Sequence, residues 1–424
     1  MRLKPPLAPT AAWAAAMTAT LRAAMTSTLR AAMMPAMRPT LLAALLAAVS
    51  AAGAQAAAFK AVLLVPADDP RLERARLERA VPGHPGGPAA DALAVAVKEG
   101  RLELDAAGAS LSFETVAVAD AAAAQAAAAK AEKVGAAALL TDLPAAWTVA
   151  VADGTRLPVL NIATADDALR GADCRKNLLH LGPSDRMRAD ALAQTLIARN
   201  WRHVLLLVSQ ADADRERGAT AAAAIARYGL KLVGRKPFKL SADPRERDLA
   251  NPALLTGIAG GGAAYDVVWV VDADGEFAVN LPYRTALPRP VVGDGGLVAL
   301  AWSAKYERFG APQVTRRLVK AVGRTMGAHD WSAWLAGKAL IAAAVAAPKG
   351  PTAAFAKALA GAEVDGSKGV TMSFRAWDGQ LRQPLLLSDG QSVVATAPAE
   401  GILHPKNALD ALGADAPEKL CKNR

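Results

Sequence analysis

The chain has 424 residues, of which 53% are apolar and 21% are charged, and this globular composition leaves room for two or three domains. Its formal net charge is +10, but five basic groups and no acid lie within residues 1–56, which leaves about +5 for the remainder. Because no basic cluster is interleaved with aromatic residues, the composition argues against a nucleic-acid partner.

The first 56 residues are predicted to be a signal peptide. Arg38 precedes the apolar run Leu41–Val49, and Ala54–Ala56 matches the small-residue pattern at which signal peptidases cleave. The run is too short for a membrane span, which needs about 20 apolar residues. We therefore expect export to the periplasm and no membrane insertion after cleavage, with a buried core helix as the alternative. Three later methionines leave the true start open: Met33, Met34 and Met37.

From Phe59 onward, strand and helix patterns alternate. Helix patterns end at Gly100, Gly135 and Gly154, and Asp120 precedes the second of them as an N-cap. Apolar or alternating runs predict four strands, at 59–65, 111–118, 136–141 and 157–163. The order βαβαβαβ predicts a parallel sheet covered on both faces. A polar insertion rich in Pro and Gly, residues 66–88, contains RLERARLER, which predicts one or two charged helical turns.

A second unit of the same kind follows residues 177–185. Ser184 is predicted to N-cap its first helix, and the run Val204–Val208 is typical of a strand buried on both faces. Further strands are predicted at 230–238, 265–271 and 290–293. The glycine-rich stretch 257–263 precedes a strand instead of opening a helix, which is the wrong order for a dinucleotide-binding motif, so we interpret it as a loop.

Helical patterns return after Ala304. Asp330 is predicted to cap a long amphipathic helix over 330–347, and a further helix is predicted over 352–361. Residues 368–396 are predicted to form two antiparallel strands joined through Asp378–Gly379.

Two α/β units in one chain, the last third of which returns to the first unit, resemble type I periplasmic substrate-binding proteins of ABC transporters, in particular the leucine/branched-chain amino-acid binding family. Residues 158–169 are similar to the fourth strand and ligand loop of that family. Residues 177–185, 296–310 and 369–384 are similar to its three crossovers between lobes. The resemblance covers nearly all of 59–396.

The resemblance implies an α/β fold of two Rossmann-like lobes with parallel sheets, joined by a three-crossover hinge. Lobe 1 is expected to comprise 57–181 and 303–371, and lobe 2 to comprise 182–302 and 372–400, followed by a C-terminal tail at 401–424. The resemblance also implies a small-molecule ligand bound by hinge closure, an ABC permease as partner, and no catalytic step. No cofactor or metal is expected, because the five histidines are scattered and no recognised catalytic motif appears.

Four segments resemble a narrower branch, the binding proteins associated with PQQ-dependent alcohol dehydrogenase systems; they are 166–180, 281–285, 374–387 and 401–413. This likeness implies the import or delivery of something connected with periplasmic alcohol oxidation. The alternative is a periplasmic accessory or sensor protein that docks a dehydrogenase or a membrane partner without transport.

Ligands bind where the carboxyl ends of parallel strands meet, and in a two-lobed protein the loops of both lobes face each other. The expected ligand-binding residues are Thr141, Asp142 and Thr164 on lobe 1, Ser209, Gln210, Asp212, Asp272 and Asp274 on lobe 2, and Trp302 at a crossover. For the lobe 2 residues the alternative is a solvated helix start or a helix cap. The loop TDLPAAW lacks the serines with which the resembled family grips a ligand carboxylate, which puts an α-amino acid ligand in doubt.

The two cysteines of the chain, Cys174 and Cys421, show neither a CxxC motif nor a zinc-binding spacing. In an oxidising compartment we expect them to form one disulfide that ties the C-terminal tail to mid-chain. Two unrelated free thiols are the alternative.

Overall fold

A computed structural model describes residues 57–79, 81–239, 243, 245, 264–285 and 287–424. The predicted signal peptide, residues 1–56, and the glycine-rich stretch 257–263 lie outside the described residues. No helix within the described ranges has the length and apolar character that a membrane span requires.

The first sheet is parallel, with the strand order β2-β1-β3-β4-β5. Leu63 and Leu64 of its central strand are both fully buried, and they belong to core clusters on opposite faces of the sheet. Such two-sided burial is the reason that these strands are continuous apolar runs. The four predicted strands are confirmed and a short fifth strand follows, with the bounds β1 (Ala57–Pro66), β2 (Ala109–Val118), β3 (Ala138–Thr141), β4 (Val159–Asn161) and β5 (Leu178–His180).

Helices connect the strands of the first sheet. Asp120 caps one of them as predicted, because its carboxylate accepts a hydrogen bond from the amide of Ala123 at 2.7 Å. The helices are α1 (Arg74–Arg79), α2 (Ala89–Glu99), α3 (Arg101–Ala106), α4 (Ala121–Lys133) and α5 (Ala145–Asp153). We call this sheet, with the helices packed on it, lobe 1.

The second sheet is also parallel, with the strand order β7-β6-β8-β9. Ser184 caps its first helix by accepting the amide of Met187 at 3.2 Å, as predicted. The elements are α6 (Asp185–Ala198), β6 (His203–Ser209), α7 (Asp212–Arg227), β7 (Lys231–Phe238), β8 (Val267–Val271) and β9 (Val291–Gly293). We call this sheet with its helices lobe 2.

The last third of the chain serves both lobes. The helices α8 (Ala311–Val322), α9 (Ala328–Ala346) and α10 (Ala353–Ala360) contribute to the core of lobe 1. The strands β10 (Val298–Leu300), β13 (Leu385–Ser388) and β14 (Val393–Ala397) form an antiparallel sheet that contributes to the core of lobe 2. The lobe 1 core also includes Met372, Phe374 and Leu381, beyond the expected boundary at 371. Helix α9 begins at Ala328, two residues before its predicted start.

The predicted hairpin around Asp378–Gly379 is wrong in its strand pairing. A tight turn exists there, since Phe374 and Leu381 form an antiparallel bridge. The flanking strands pair elsewhere: β11 (Glu363–Asp365) with β12 (Thr371–Ser373), and β13 with β10 and β14. The physical reason is that this segment is a crossover, in which Gln380 pairs with His180 of lobe 1 before the chain enters lobe 2.

The C-terminal tail folds back across the molecule. Cys174 and Cys421 form a disulfide, which confirms the expected pairing. Earlier in the tail, the carboxylate of Asp410 accepts hydrogen bonds from Arg375 and Arg382, both at 2.9 Å. The tail is thus joined covalently to lobe 1 and by buried polar contacts to the third crossover.

We predict that replacing both cysteines with serine, Cys174→Ser and Cys421→Ser, lowers the free energy of unfolding by about 2–4 kcal/mol, because the bridge restricts the unfolded chain across a separation of 247 residues. Urea denaturation without reductant measures the change. As a control, adding reductant should shift the wild-type midpoint and leave the variant unaffected. Equal midpoints for both proteins would contradict a stabilising role.

Candidate functional site

A cavity of about 270 Å³ lies where the two lobes and the crossovers meet. Its walls come from lobe 1, from the first crossover, from lobe 2 and from the insertion after β1. They include Arg71, Arg76, Gly83, His84, Pro85, Ile162, Ala163, Gly182, Arg188, Ala273 and His329. A second cavity, of about 220 Å³, extends into lobe 2 and shares four lining residues with the first, namely Gly83, His84, Arg188 and Ala273.

The polar insertion after β1 reaches into the space between the lobes. Arg76 on α1 forms an ion pair of 2.9 Å with Asp274 of lobe 2. Val81 is buried against Gly275, where a Cβ atom would come within 2.8 Å of the valine side chain. Gly275 also has a φ of +76°, so only glycine fits this contact without strain. The sequence predicted one or two charged helical turns in this insertion and did not indicate its contribution to the site.

Asp142 anchors the lobe 1 side of the cavity. Its Oδ1 lies 2.8 Å from Arg71 Nη2, and its Oδ2 lies 3.0 Å from His329 Nε2. Burial opposes ionisation of Asp142, but His329 and Arg71 outweigh it and lower the pKa of the carboxyl to about 2. The carboxylate is therefore ionised and fully engaged in positioning two residues that line the cavity.

The other two residues of lobe 1 that were predicted to bind a ligand, Thr141 and Thr164, do not line the cavity. Thr141 is completely buried at the end of β3. The loop around Thr164 is held by Asn161, whose Nδ2 donates to the Thr164 carbonyl at 2.8 Å and whose Oδ1 accepts the Thr164 amide at 3.1 Å. Its neighbours Ala163 and Ala165 line the cavity, whereas Thr164 does not.

The predicted loop at the end of β6 does not line either cavity. The hydroxyl of Ser209 is used locally, accepting the amide of Ala211 at 3.3 Å. The Gln210 carbonyl and the exposed Asp212 carboxylate both accept hydrogen bonds from Arg215. These contacts correspond to the alternative interpretation, an ordered and solvated helix start.

Asp272, Asp274 and Trp302 complete the set of predicted residues. Asp272 is buried and accepts the amides of Phe277 and Ala278, both at 2.9 Å, so it caps a turn. Asp274 pairs with Arg76, as described above. Trp302 is buried in the lobe 1 core with its ring stacked on Trp331, at a centroid separation of 6.0 Å. Asp142 and Asp274 contact cavity-lining side chains through their carboxylates, and the Asp272 amide donates to Asp294, which lines the second cavity, at 2.7 Å.

Sequence reasoning missed Arg188, which lines both cavities from the first turns of α6. Its Nη1 lies 3.9 Å from Asp185 Oδ1, and its Nε is buried without a hydrogen-bond partner in the described part of the chain. The nearby Arg217 is different, because Asp294 and Asp214 hold it at 2.6 and 3.1 Å. The sequence did contain a signal for Arg188, because this arginine lies in the first turn of a helix that Ser184 caps and that follows the first crossover.

Solved structures share this architecture. A leucine-, isoleucine-, valine-, threonine- and alanine-binding protein from Brucella ovis is 14% identical, with a TM-score of 0.62 over 78% of this chain and 88% of its own. An ABC transporter solute-binding protein from R. palustris, in complex with benzoate, is 15% identical, with a TM-score of 0.60 over 84% and 99%. An ABC transporter substrate-binding protein from Desulfitobacterium hafniense, in complex with Leu, is 17% identical, with a TM-score of 0.59 over 78% and 98%.

No family model matches the sequence, and no curated protein matches it. The likeness to solved structures establishes the fold: the chain has an α/β architecture with two parallel sheets, which matches the fold of solved type I periplasmic binding proteins. The fold class expected from the sequence is confirmed.

We predict a pH dependence of stability that arises in part from Asp272. Burial raises the pKa of this carboxyl to about 6, and the charges of Asp294 and Asp214 add to the effect, although the amides of Ala278 and Phe277 favour the ionised form. The unfolded value is about 3.9, so the folded protein holds an extra proton between about pH 4 and 6. The free energy of unfolding should therefore fall as the pH rises through this window, by roughly 2–3 kcal/mol for this group.

Urea denaturation at several pH values tests this dependence. Asp272→Asn should flatten the decline, and Asp190→Asn provides a matched comparison because burial raises the pKa of Asp190 to about 6 as well. A decline of unchanged slope in Asp272→Asn would show that Asp272 does not carry the proton.

Proposed function

We propose that this protein is the solute-binding component of an ABC import system, and that its two lobes close around a small molecule. The proposal rests on the cavity that both lobes and the crossovers line together. A single bound molecule would contact both lobes there, and a hinge motion could close the lobes around it. Neighbours of the same fold are ABC transporter solute-binding proteins, two of them in complex with benzoate and with Leu. The function is affinity and closure, without a bond made or broken.

In this proposal residues 1–56 direct export to the periplasm, where an ABC permease receives the ligand from the closed protein. A link to PQQ-dependent alcohol oxidation is part of the proposal and is supported by the four sequence segments that resemble that branch. Identification of co-purified small molecules by mass spectrometry tests the link directly.

A second function is favoured by one observation, the insertion between the lobes. Arg76 already joins α1 to Asp274 across the cleft, and Val81 packs on Gly275. A cleft occupied by its own chain suits an accessory or sensor protein that docks a dehydrogenase or a membrane partner. A stoichiometric dehydrogenase complex, formed by purified components without small-molecule binding, would favour this second function.

Ligand binding is predicted to stabilise the protein and to reduce its radius of gyration. At a ligand concentration a hundredfold above Kd, the expected gain is about 2.7 kcal/mol. Thermal unfolding and small-angle scattering against alcohols, organic acids, amino acids and PQQ measure both effects. Asp212→Asn is a suitable control, since Asp212 is exposed and lines neither cavity, and it should respond like the wild type. If no compound changes either quantity, solute import is contradicted.

A further inference from the structure

We propose that the cleft selects a small organic monocarboxylate without an ammonium group, and that the guanidinium of Arg188 on lobe 2 binds its carboxylate. This inference rests on the proposed solute-binding function and specifies its ligand class. It places the carboxylate on lobe 2, whereas the resembled family is expected to grip it through loops of lobe 1.

The ionisable side chains that line the first cavity are all basic. Its ionisable lining residues are Arg71, Arg76, Arg188, His84 and His329, and no Asp or Glu is among the described residues that line it. The remaining wall is mostly apolar and small, with Ile162, Ala163, Ala165, Pro183, Ala301 and Ala328. Ser332 adds one hydroxyl, which donates to the Ala328 carbonyl at 3.1 Å. A ligand that fits this surface has a compact apolar body and a negative charge.

Asp185 and Asp294 line the second cavity, where Arg217 lies 3.6 and 2.6 Å from them. The three acids behind the wall of the first cavity are held by neighbouring groups. Asp142 is held by Arg71 and His329, Asp272 by two backbone amides, and Asp274 by Arg76. An amino acid in the first cavity would therefore bury its ammonium group without a carboxylate among the described residues that line this cavity, which is unfavourable. The cleft discriminates against amino acids by this missing partner.

The arginines of the cavity differ in how far their donors are used. Arg71 donates to Asp69 at 2.7 and 2.9 Å and also faces Asp142. Arg76 is paired with Asp274. Arg188 has only the long contact of 3.9 Å to Asp185 among the ion pairs of the described residues, and a third of its side-chain surface remains accessible. Arg188 is thus the cavity-lining arginine that has no carboxylate within hydrogen-bonding distance among the described residues.

Three buried nitrogen atoms on cavity-lining residues make no hydrogen bond within the described ranges, namely Arg188 Nε and both ring nitrogens of His329, although His329 Nε2 lies 3.0 Å from Asp142 Oδ2. A buried donor without a partner is costly, so Arg188 Nε marks a guanidinium whose hydrogen-bonding capacity the described residues do not fully use. Arginine binds a carboxylate through two parallel hydrogen bonds, which adds orientation to affinity. The cavity, at about 270 Å³, lies below the roughly 300–1,000 Å³ typical of sites for drug-sized molecules, so the ligand is small.

Isothermal titration calorimetry with matched triplets of compounds tests the proposal. Each triplet shares a carbon skeleton: 4-methylpentanoate, 4-methylpentanamide and leucine form one, and phenylacetate, phenylacetamide and phenylglycine another, within a panel of compact organic acids built in the same way. We expect an acid to bind the wild type and its amide and amino acid to bind at least tenfold more weakly.

Variants locate the carboxylate site. Arg188→Gln should raise the Kd of the bound acid about tenfold to a hundredfold, because it removes a charge-assisted hydrogen bond. Arg188→Lys keeps the charge without the paired donors and should lose less, and it serves as the test if Arg188→Gln does not fold. Arg186→Gln is the matched control, since Arg186 lies two residues away on α6, pairs with Glu418 at 2.7 Å and lines neither inter-lobe cavity.

The outcomes separate this inference from the proposed function. If an amide or an amino acid binds as tightly as its acid, or if both Arg188 variants keep wild-type affinity, the inference is wrong while solute binding stands. If no compound of the panel binds and the radius of gyration never changes, the inference and the proposed function both fail.

Discussion

The main physical constraint on this molecule is the hydrogen bonding of its crossovers. Their backbone leaves the sheets and stays buried, so its carbonyl groups need hydrogen-bond donors from elsewhere. Side chains of the third crossover supply them to the first: Gln380 donates to the Gly182 carbonyl at 2.9 Å, and Gln383 donates to the Leu181 carbonyl at 2.6 Å. Arg170 of lobe 1 donates to Gln380 and to the same Gly182 carbonyl. These buried contacts hold the first and third crossovers against each other.

The C-terminal tail extends this rigid region. Arg375, completely buried, meets the Asp410 carboxylate and donates to the carbonyls of Leu409 and Leu412. A buried arginine is tolerated because its charge is paired and its remaining donors meet carbonyl oxygens. The disulfide at Cys174 then joins the same tail to lobe 1. Buried hydrogen bonds and one disulfide thus join three distant parts of the chain, namely the first crossover, the third crossover and the tail.

Within that frame, the cleft uses its acids for structure and leaves a basic guanidinium toward the cavity. Asp142 contacts two residues that line the cavity, since its carboxylate oxygens lie 2.8 Å from Arg71 and 3.0 Å from His329. The fold therefore does not determine what is bound, since the same two-lobed scaffold accommodates benzoate in one neighbour and Leu in another.

The sequence by itself determined the two parallel sheets, the helix caps at Asp120 and Ser184, and the disulfide, because apolar period, cap chemistry and cysteine count are local or compositional signals. Only the tertiary structure decided the strand pairing around Asp378–Gly379 and the composition of the cleft. The turn signal there was correct, but pairing depends on competing strands that no local pattern reveals. Packing brings Arg71, Arg188 and His329 to one cavity and places Asp142 against the first and the last of them. Contacts between residues distant in sequence set the direction in which each of these side chains points.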